Sequence, residues 1–259
     1  MSTLQWNGIS PNPTFVGADN YVRLFQDPIV AQALWHTLAG FLIGFPAATA
    51  IGIVMASLLH SRIRLATVHK VILFIPVVLS PAVTAPVFRQ IFSIDGQLNW
   101  VLEHVGLGFL SQPWLAQSST ALLAVVAVGT WHGAGISFIL YYAAMGQIEP
   151  EILEAARLDG AGNLRTLVSI VWPDVRGTTL ALATLSVIWS LKTFDLPYLI
   201  TTAGPNFATE YLGTFIYRWT ITNGSAGYGA AASILLLVLA LGIGIALNVR
   251  RRSEGSRDV

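Results

Sequence analysis

After a mixed segment from Met1 to Val30, the chain alternates long apolar blocks with short polar links. A hydrocarbon core about 30 Å thick needs roughly 20 mostly apolar helical residues, because backbone amides cannot be left unpaired in lipid. Five segments meet that requirement, at residues 34–59, 71–91, 119–144, 178–200 and 228–249. The second carries Pro76, Pro81 and Pro86 and is expected to be kinked or partly unwound. The fourth contains Lys192 and Asp195, three apart and so on one face of a continuous helix. The expected fold class is an all-α polytopic membrane protein, with its transmembrane domain over residues 34–249.

Composition agrees with lipid as the solvent. Of 259 residues 54% are hydrophobic and 10% charged, and the mean hydropathy is +0.65, whereas a soluble domain is about one quarter charged. A net charge of +1 argues against nucleic acid as a partner. The absence of cysteine excludes disulfides, thiolate metal sites, iron–sulfur clusters and cysteine nucleophiles.

Positive charge sets the expected orientation, since short loops rich in Lys and Arg stay in the cytoplasm. Arg62, Arg64 and Lys70, then Arg157, Arg165 and Arg176, then Arg250, Arg251, Arg252 and Arg257 fall on one side; Arg23, Arg89 and Arg218 fall on the other. The link 145–177 and the basic tail 250–259 are therefore expected inside, and residues 1–33 outside. No apolar signal segment precedes that outer N-terminus. The expectation is that one earlier helix is missing, through truncation or a misplaced start, rather than that a short tail is translocated.

The link 145–177 is longer than a turn needs and reads as two short helices. Glu149, Pro150 and Glu151 form an acidic start with proline at the first helical position, and Gly160 is placed to end the helix. After Asn163 as a cap, Leu164, Leu167, Val168 and Val171 recur at helical spacing until Pro173. Read literally, the run is Glu154, Ala155, Ala156, three residues, Gly160, nine residues, Ile170, Val171, Trp172, Pro173. This resembles the EAA signature of importer-type ABC transporter permeases, with Trp172 in place of a leucine. The stretch from Ile148 to Gly162 (IEPEILEAARLDGAG) is similar to the carbohydrate branch that includes maltose and glycerol-phosphate permeases, as are FVGADNYVRLF from Phe15, FDLPYLITTAGP from Phe194 and GYGAAA from Gly227.

The resemblance implies a permease subunit importing a mono- or oligosaccharide across a bacterial or archaeal cytoplasmic membrane, with a six-helix core lacking its first helix. It also implies a coupling helix that inserts into a separate ATPase, through Glu154, Ala155, Ala156, Asp159 and Gly160. Small Ala155 and Ala156 would allow close approach, Glu154 would meet a basic group, and Gly160 would turn the chain. The implied partners are a homologous second permease, two ATP-binding cassette subunits and an extracytoplasmic sugar-binding protein.

No G-x-x-x-x-G-K-[ST] run is present, so ATP and Mg²⁺ belong to a partner and this chain carries no cofactor. The glycine spacings Gly40/Gly44 and Gly129/Gly133/Gly135 suit close helix packing. His36, His60, His69, His104 and His132 show no metal-ligand spacing; His132, in or near a span, reads as an interhelical hydrogen-bonding group or a pathway group. Glu149, Glu151 and Glu154 sit in a loop rather than a catalytic cleft. No catalytic centre is expected. Lys192 and Asp195 each would cost roughly 2.5 to 3.5 kcal/mol at mid-bilayer, so they should face the bundle interior or water. Two readings fit them: a polar solute path shared with Trp189, Thr193 and Phe194, or a local ion pair. Most of Trp100, Trp114, Tyr211, Tyr217 and Trp219, in the outer segments 96–117 and 203–227, read as an interfacial aromatic belt against membrane lipid; the resemblance implies that these surfaces would also receive the solute-binding protein. The rival functions are a secondary transporter driven by an ion gradient through Lys192 and Asp195, and a membrane assembly protein that transports nothing.

Overall fold

The computed structural model describes residues 1–60 and 65–255, the stretch 247–255 by backbone alone. Arg62, Arg64, Arg257 and the side chains of Arg250 to Arg252, counted above towards orientation, lie outside the described residues. A short antiparallel pair, β1 (Leu4–Gln5) and β2 (Thr14–Phe15), sets Leu4 opposite Phe15 and precedes α1 (Asp19–Gln26). The remaining helices are α2 (Pro28–His60), α3 (Ala66–Val78), α4 (Pro81–Ile91), α5 (Gln97–His104), α6 (Ser118–Met145), α7 (Pro150–Leu158), α8 (Asn163–Thr166), α9 (Trp172–Asp174), α10 (Arg176–Lys192), α11 (Asp195–Thr201), α12 (Leu212–Tyr217) and α13 (Ala226–Gly255).

Among the described residues, α2, α6 and the Ala226–Ala246 part of α13 are each long and apolar enough to cross a membrane. The pairs α3 with α4 and α10 with α11 qualify only as broken spans or re-entrant loops, so the count is three, or up to five if each pair is one span. Each break has a local cause. Pro81 restrains Ser80 from helical geometry and supplies no N–H, so α3 ends just before it, whereas Pro76 and Pro86 lie within helices. The second break falls at Thr193 and Phe194, where Phe194 leaves the helix at φ −139°. Its cause is Pro197: in a continuous helix residue 197 would bond the Thr193 carbonyl, and proline has no N–H to do so.

Beside a core of large apolar side chains, small and hydroxyl groups are buried where helices meet and many large aliphatic groups lie on the surface. Ala33, Ala56, Ala121, Ala231, Thr37, Thr49 and Ser137 are buried, while Leu42, Ile51, Val71, Leu123, Leu237 and Leu241 are exposed. Small and hydroxyl groups inside, with bulky aliphatic groups outside, suit helices whose outer solvent is hydrocarbon.

The chain divides into two compact units. The unit made of residues 42–80 and 126–186 has a core of Ile53, Ala56, Leu59, Phe138, Tyr141, Met145, Val171, Val175 and Leu182. Inside it the Tyr141 and Thr179 hydroxyls meet at 2.8 Å. Gly135 allows α6 to close on α3, because a Cβ there would lie 2.7 Å from Val77 Cγ2 and 2.9 Å from the Leu73 carbonyl. Gly129 has open space around it, so the packing reading fails at that member of the cluster.

The unit made of residues 1–41, 81–125 and 187–259 ties the N-terminal segment to the start of α13. Asn20 Nδ2 donates to the carbonyls of Ser2 (2.8 Å) and Leu4 (3.0 Å), and the Gly227 N–H donates to that of Trp6. The Arg23 guanidinium sits 4.6 Å from the Trp219 ring and 4.3 Å from the Tyr228 ring. In the loop after α11 the backbone is left-handed at Thr202, Ala203, Gly204, Asn206 and Phe207. That conformation is held from below. The Thr201 and Thr209 hydroxyls meet at 2.6 Å, and fully buried Glu210 pairs with Arg218, whose guanidinium lies 4.3 Å from the Phe207 ring. His36 Nδ1–H donates to the Glu210 carbonyl at 2.9 Å. Burial lowers the Arg218 pKa against the opposing pull of Asp27, and burial pushes the Tyr211 phenol well above its ordinary range.

This packing revises the aromatic belt. Tyr211 is buried, Tyr217 and Trp219 are half-buried, and the half-buried Trp114 donates Nε1–H to Asn99 Oδ1 at 2.7 Å. Of the five aromatics, Trp100 alone is exposed.

Candidate functional site

The coupling-type loop belongs to the unit of residues 42–80 and 126–186. Helix α7 starts as expected, with Glu149 before Pro150 at the first position. It ends at Gly160, which takes φ +77° with open space where a Cβ would stand, while the Ala161 N–H reaches back to the Ala156 carbonyl at 2.9 Å. A left-handed residue followed by that long-range bond is the glycine-closed helix end anticipated from the sequence.

The helix has two unlike sides. Leu153 packs on the Ile53–Leu182 core, and Ala156, 7% exposed, is buried in the chain's own fold. Glu154, Ala155, Arg157, Asp159 and Gly160 are exposed, and Glu154 has no ion pair or hydrogen bond among the described residues. The expectation that both alanines face a partner therefore needs correcting: Ala155 is open, and Ala156 closes the inner side. Leu158, which sequence reasoning did not single out, is 89% exposed at the C-terminal end of the helix. The signal for the helix phase was available. Leu153 and Ala156 are one turn apart and small or apolar, which places Leu158 on another face.

Beyond Gly160, Asn163 is the first residue of α8 rather than its cap, with Gly162 in the cap position. Helical geometry runs through a wide π-turn at Leu167–Val171 into α9, which takes in Pro173 and ends at Asp174, one residue past the expected stop. The wider turn loosens the register in which proline would meet the preceding carbonyls. It also splits the apolar stripe: Val171 is buried and Leu167 packs on the core, whereas Leu164 and Val168 are exposed.

The candidate path residues lie in the other unit, at the α10–α11 break. Lys192 is in the last turn of α10 and Asp195 in the first turn of α11, so they do not share one helix face. Both are exposed and no ion pair joins them. Each charge opposes the partial charge of its own helix end, a gain of about 0.3–1 kcal/mol apiece. The Thr193 hydroxyl donates to the Trp189 carbonyl at 2.9 Å, and Trp189 is exposed. Phe194 stacks on Tyr198 (5.1 Å between ring centres), and both meet Tyr217 at 5.2 and 4.9 Å, so the break gathers Tyr198, which the sequence reading did not single out, and Tyr217, which it assigned to the aromatic belt. Gly213 makes this possible: a Cβ there would fall 2.6 Å from the Thr193 carbonyl. His132 lies on α6, in the unit of the coupling-type loop, with Nε2 buried and without a hydrogen-bond partner among the described residues.

The comparisons with known proteins converge. The family described as binding-protein-dependent transport system inner membrane component matches residues 48–253. The probable ABC transporter permease protein YurN of Bacillus subtilis (strain 168) is 34% identical over 234 residues, covering 89% of this chain and 80% of its own length. The multiple sugar-binding transport system permease protein MsmF of Streptococcus mutans serotype c is 30% identical, covering 89% of this chain and 79% of its own. Among solved structures, the fold is shared with a chain of a bacterial alginate ABC transporter in complex with an alginate pentasaccharide-bound periplasmic protein. That match has a TM-score of 0.75 at 23% identity, over 92% of this chain and 83% of the other. A glycine-capped helix in a long polar link, a set of apolar helices and a family match over most of its length give one conclusion: the chain belongs to the binding-protein-dependent transport system inner membrane components, and is a multi-pass membrane permease subunit rather than an enzyme.

Proposed function

We propose that this permease imports a mono- or oligosaccharide as half of a translocation pathway, together with a homologous second permease, two ATP-binding cassette subunits and an extracytoplasmic sugar-binding protein. Relatives named for multiple sugars, and the solved alginate transporter with its periplasmic protein, support the substrate class and the binding-protein partner. ATP and Mg²⁺ sit on the ATPases. Helix α7 acts as the lever between those subunits and the spans, through Glu154, Ala155, Asp159 and Gly160, with Ala156 securing its inner side. Residues 1–33 lie on the extracytoplasmic side of the membrane and the tail 250–259 on the cytoplasmic side, an assignment that rests on the distribution of Lys and Arg.

The observation that carries this reading is the two-sidedness of α7. Its inner side is built into a core, while its outer side leaves a carboxylate, a small residue and a large apolar residue without partners among the described residues. For the solute, Lys192 and Asp195 offer charge-assisted hydrogen bonds to hydroxyls, Thr193 a further hydroxyl, and Trp189 and Phe194 apolar faces for sugar C–H groups.

The test is uptake of radiolabelled oligosaccharides into proteoliposomes holding the assembled transporter and its binding protein. Uptake should require ATP and survive collapse of ion gradients. Glu154→Ala should uncouple hydrolysis from uptake without lowering expression. Uptake that follows an ion gradient and ignores ATP would overturn the proposal.

A further inference from the structure

The segment joining α4 to α6 is organised around one buried amide, with several large apolar side chains left at its surface. Its organiser is Asn99, only 3% exposed. Asn99 Nδ2 donates to the carbonyls of Ile94 (2.9 Å) and Gln112 (3.0 Å), and Oδ1 accepts from Trp114 Nε1–H (2.7 Å) and the Gln112 N–H (3.3 Å). Around this polar centre the large apolar side chains point away: Trp100 is 59% exposed, Val105 62% and Phe109 80%, with Val101 and Leu110 exposed beside them. So many large apolar groups at the surface of one short segment mark a surface that something covers.

Three features of the segment indicate what covers that surface. It runs directly from α4, the second half of a helix pair that qualifies as a broken span or a re-entrant loop, into α6, a full-length span candidate, so apolar, membrane-length chain adjoins it at both ends. Between Ile94 and Gln117 there is no Lys or Arg, and the acidic residues are Asp95 and Glu103 alone, so few charges would have to be desolvated against hydrocarbon. Between α4 and α5 lies an open groove of about 610 Å³, lined by Val87, Ile91, Leu98 and Val101 with Gln90 and Gln97 among its lining residues. Its apolar lining suits a hydrocarbon chain, and the two amides suit the ester and head-group level. The exposed side of α5 has the same mixed character, since His104 packs its ring 4.1 Å from that of Trp100 and Gln97 is exposed nearby. Aromatic bodies with polar tips favour the boundary between water and hydrocarbon.

We propose that residues 94–110 form an interfacial lipid-binding element, in which bilayer lipid covers Trp100, Val101, Val105, Phe109 and Leu110 and an acyl chain occupies the α4–α5 groove. The element leads into the Ser118 end of α6, whereas the coupling loop follows its Met145 end, and it anchors the end of the broken α3–α4 span in the membrane surface.

The cysteine-free sequence permits a direct test. Val105→Cys, Phe109→Cys and, as an exposed reference in the N-terminal segment, Asn12→Cys are each introduced singly and labelled with a nitroxide. The full chain, assembled with its partner subunits, is then reconstituted in phosphatidylethanolamine and phosphatidylglycerol vesicles. Collision rates are measured with oxygen, which concentrates in lipid, and with a water-soluble nickel chelate. At 105 and 109 the oxygen-to-nickel ratio should exceed that at 12 several-fold. A ratio equal to that at 12 at either position would mean water covers the surface, and low rates with both reagents would mean protein does; each result overturns the proposal.

Discussion

Leu158→Ala separates the proposed docking contact of α7 from the stability of the chain itself. Because the side chain is 89% exposed, it gains almost nothing from this chain's own core. Truncation should change the unfolding free energy by no more than about 0.5 kcal/mol. In a complex that buries Leu158 the same truncation removes apolar contact worth about 0.8 kcal/mol per methylene-sized group, about 2 kcal/mol in all, or about thirtyfold in Kd. The assay is titration of a fluorescently labelled ATPase subunit onto the permease pair in lipid nanodiscs, with thermal unfolding followed in parallel. Ala156→Leu is the mirror experiment. At 7% exposure Ala156 has no room for a larger side chain, so overpacking of about 1–3 kcal/mol should lower the melting temperature before it affects docking. An unchanged Kd for Leu158→Ala, or a Kd lost together with the fold, would refute the two-sided account of the helix.

The α10–α11 break, the buried ion pair and the buried phenol give three further expectations. Gly213→Ala places a Cβ 2.6 Å from the Thr193 carbonyl and should destabilise by about 1–3 kcal/mol, read as a lower melting temperature in nanodiscs; unaltered melting would mean that α12 does not press on the break. Arg218→Met leaves Glu210 buried without its partner and should destabilise by about 3–5 kcal/mol, part of which Glu210→Gln in the same chain should restore; no loss in the single variant would contradict the pairing. Tyr211 is held neutral in the folded chain while its unfolded counterpart ionises near pH 10, so folding should weaken as pH rises past about 10, and Tyr211→Phe should make that alkaline loss shallower.

The long spans were legible because an uninterrupted apolar block of bilayer length is what a hydrocarbon core demands of a helix, and the break before Pro81 was legible because proline announces it. The break at Thr193 was written just as clearly, in Pro197 four residues on, but the hydropathy of residues 178–200 hides it. Reading that block as one helix also put Lys192 and Asp195 on a common face, where they look like an ion pair or a coupling pair. Once the helix stops between them, each is explained by the helix end it occupies.

The same dependence on local phase decides the coupling loop. Pro150 and Gly160 fix where α7 begins and ends, and the structure keeps both limits. Adjacent Ala155 and Ala156 are chemically identical yet point about 100° apart around the helix, so only the packing of Leu153 determines which of them meets a partner. Glu210 is the opposite case, a single carboxylate in a loop whose burial depends on Arg218, His36 and a run of left-handed residues converging from separate parts of the chain. No spacing rule in the linear sequence links those positions. Sequence periodicity therefore locates the membrane helices and the lever, whereas the loop between α11 and α12 is specified by long-range polar contacts, and substitutions there should act on stability before they act on transport.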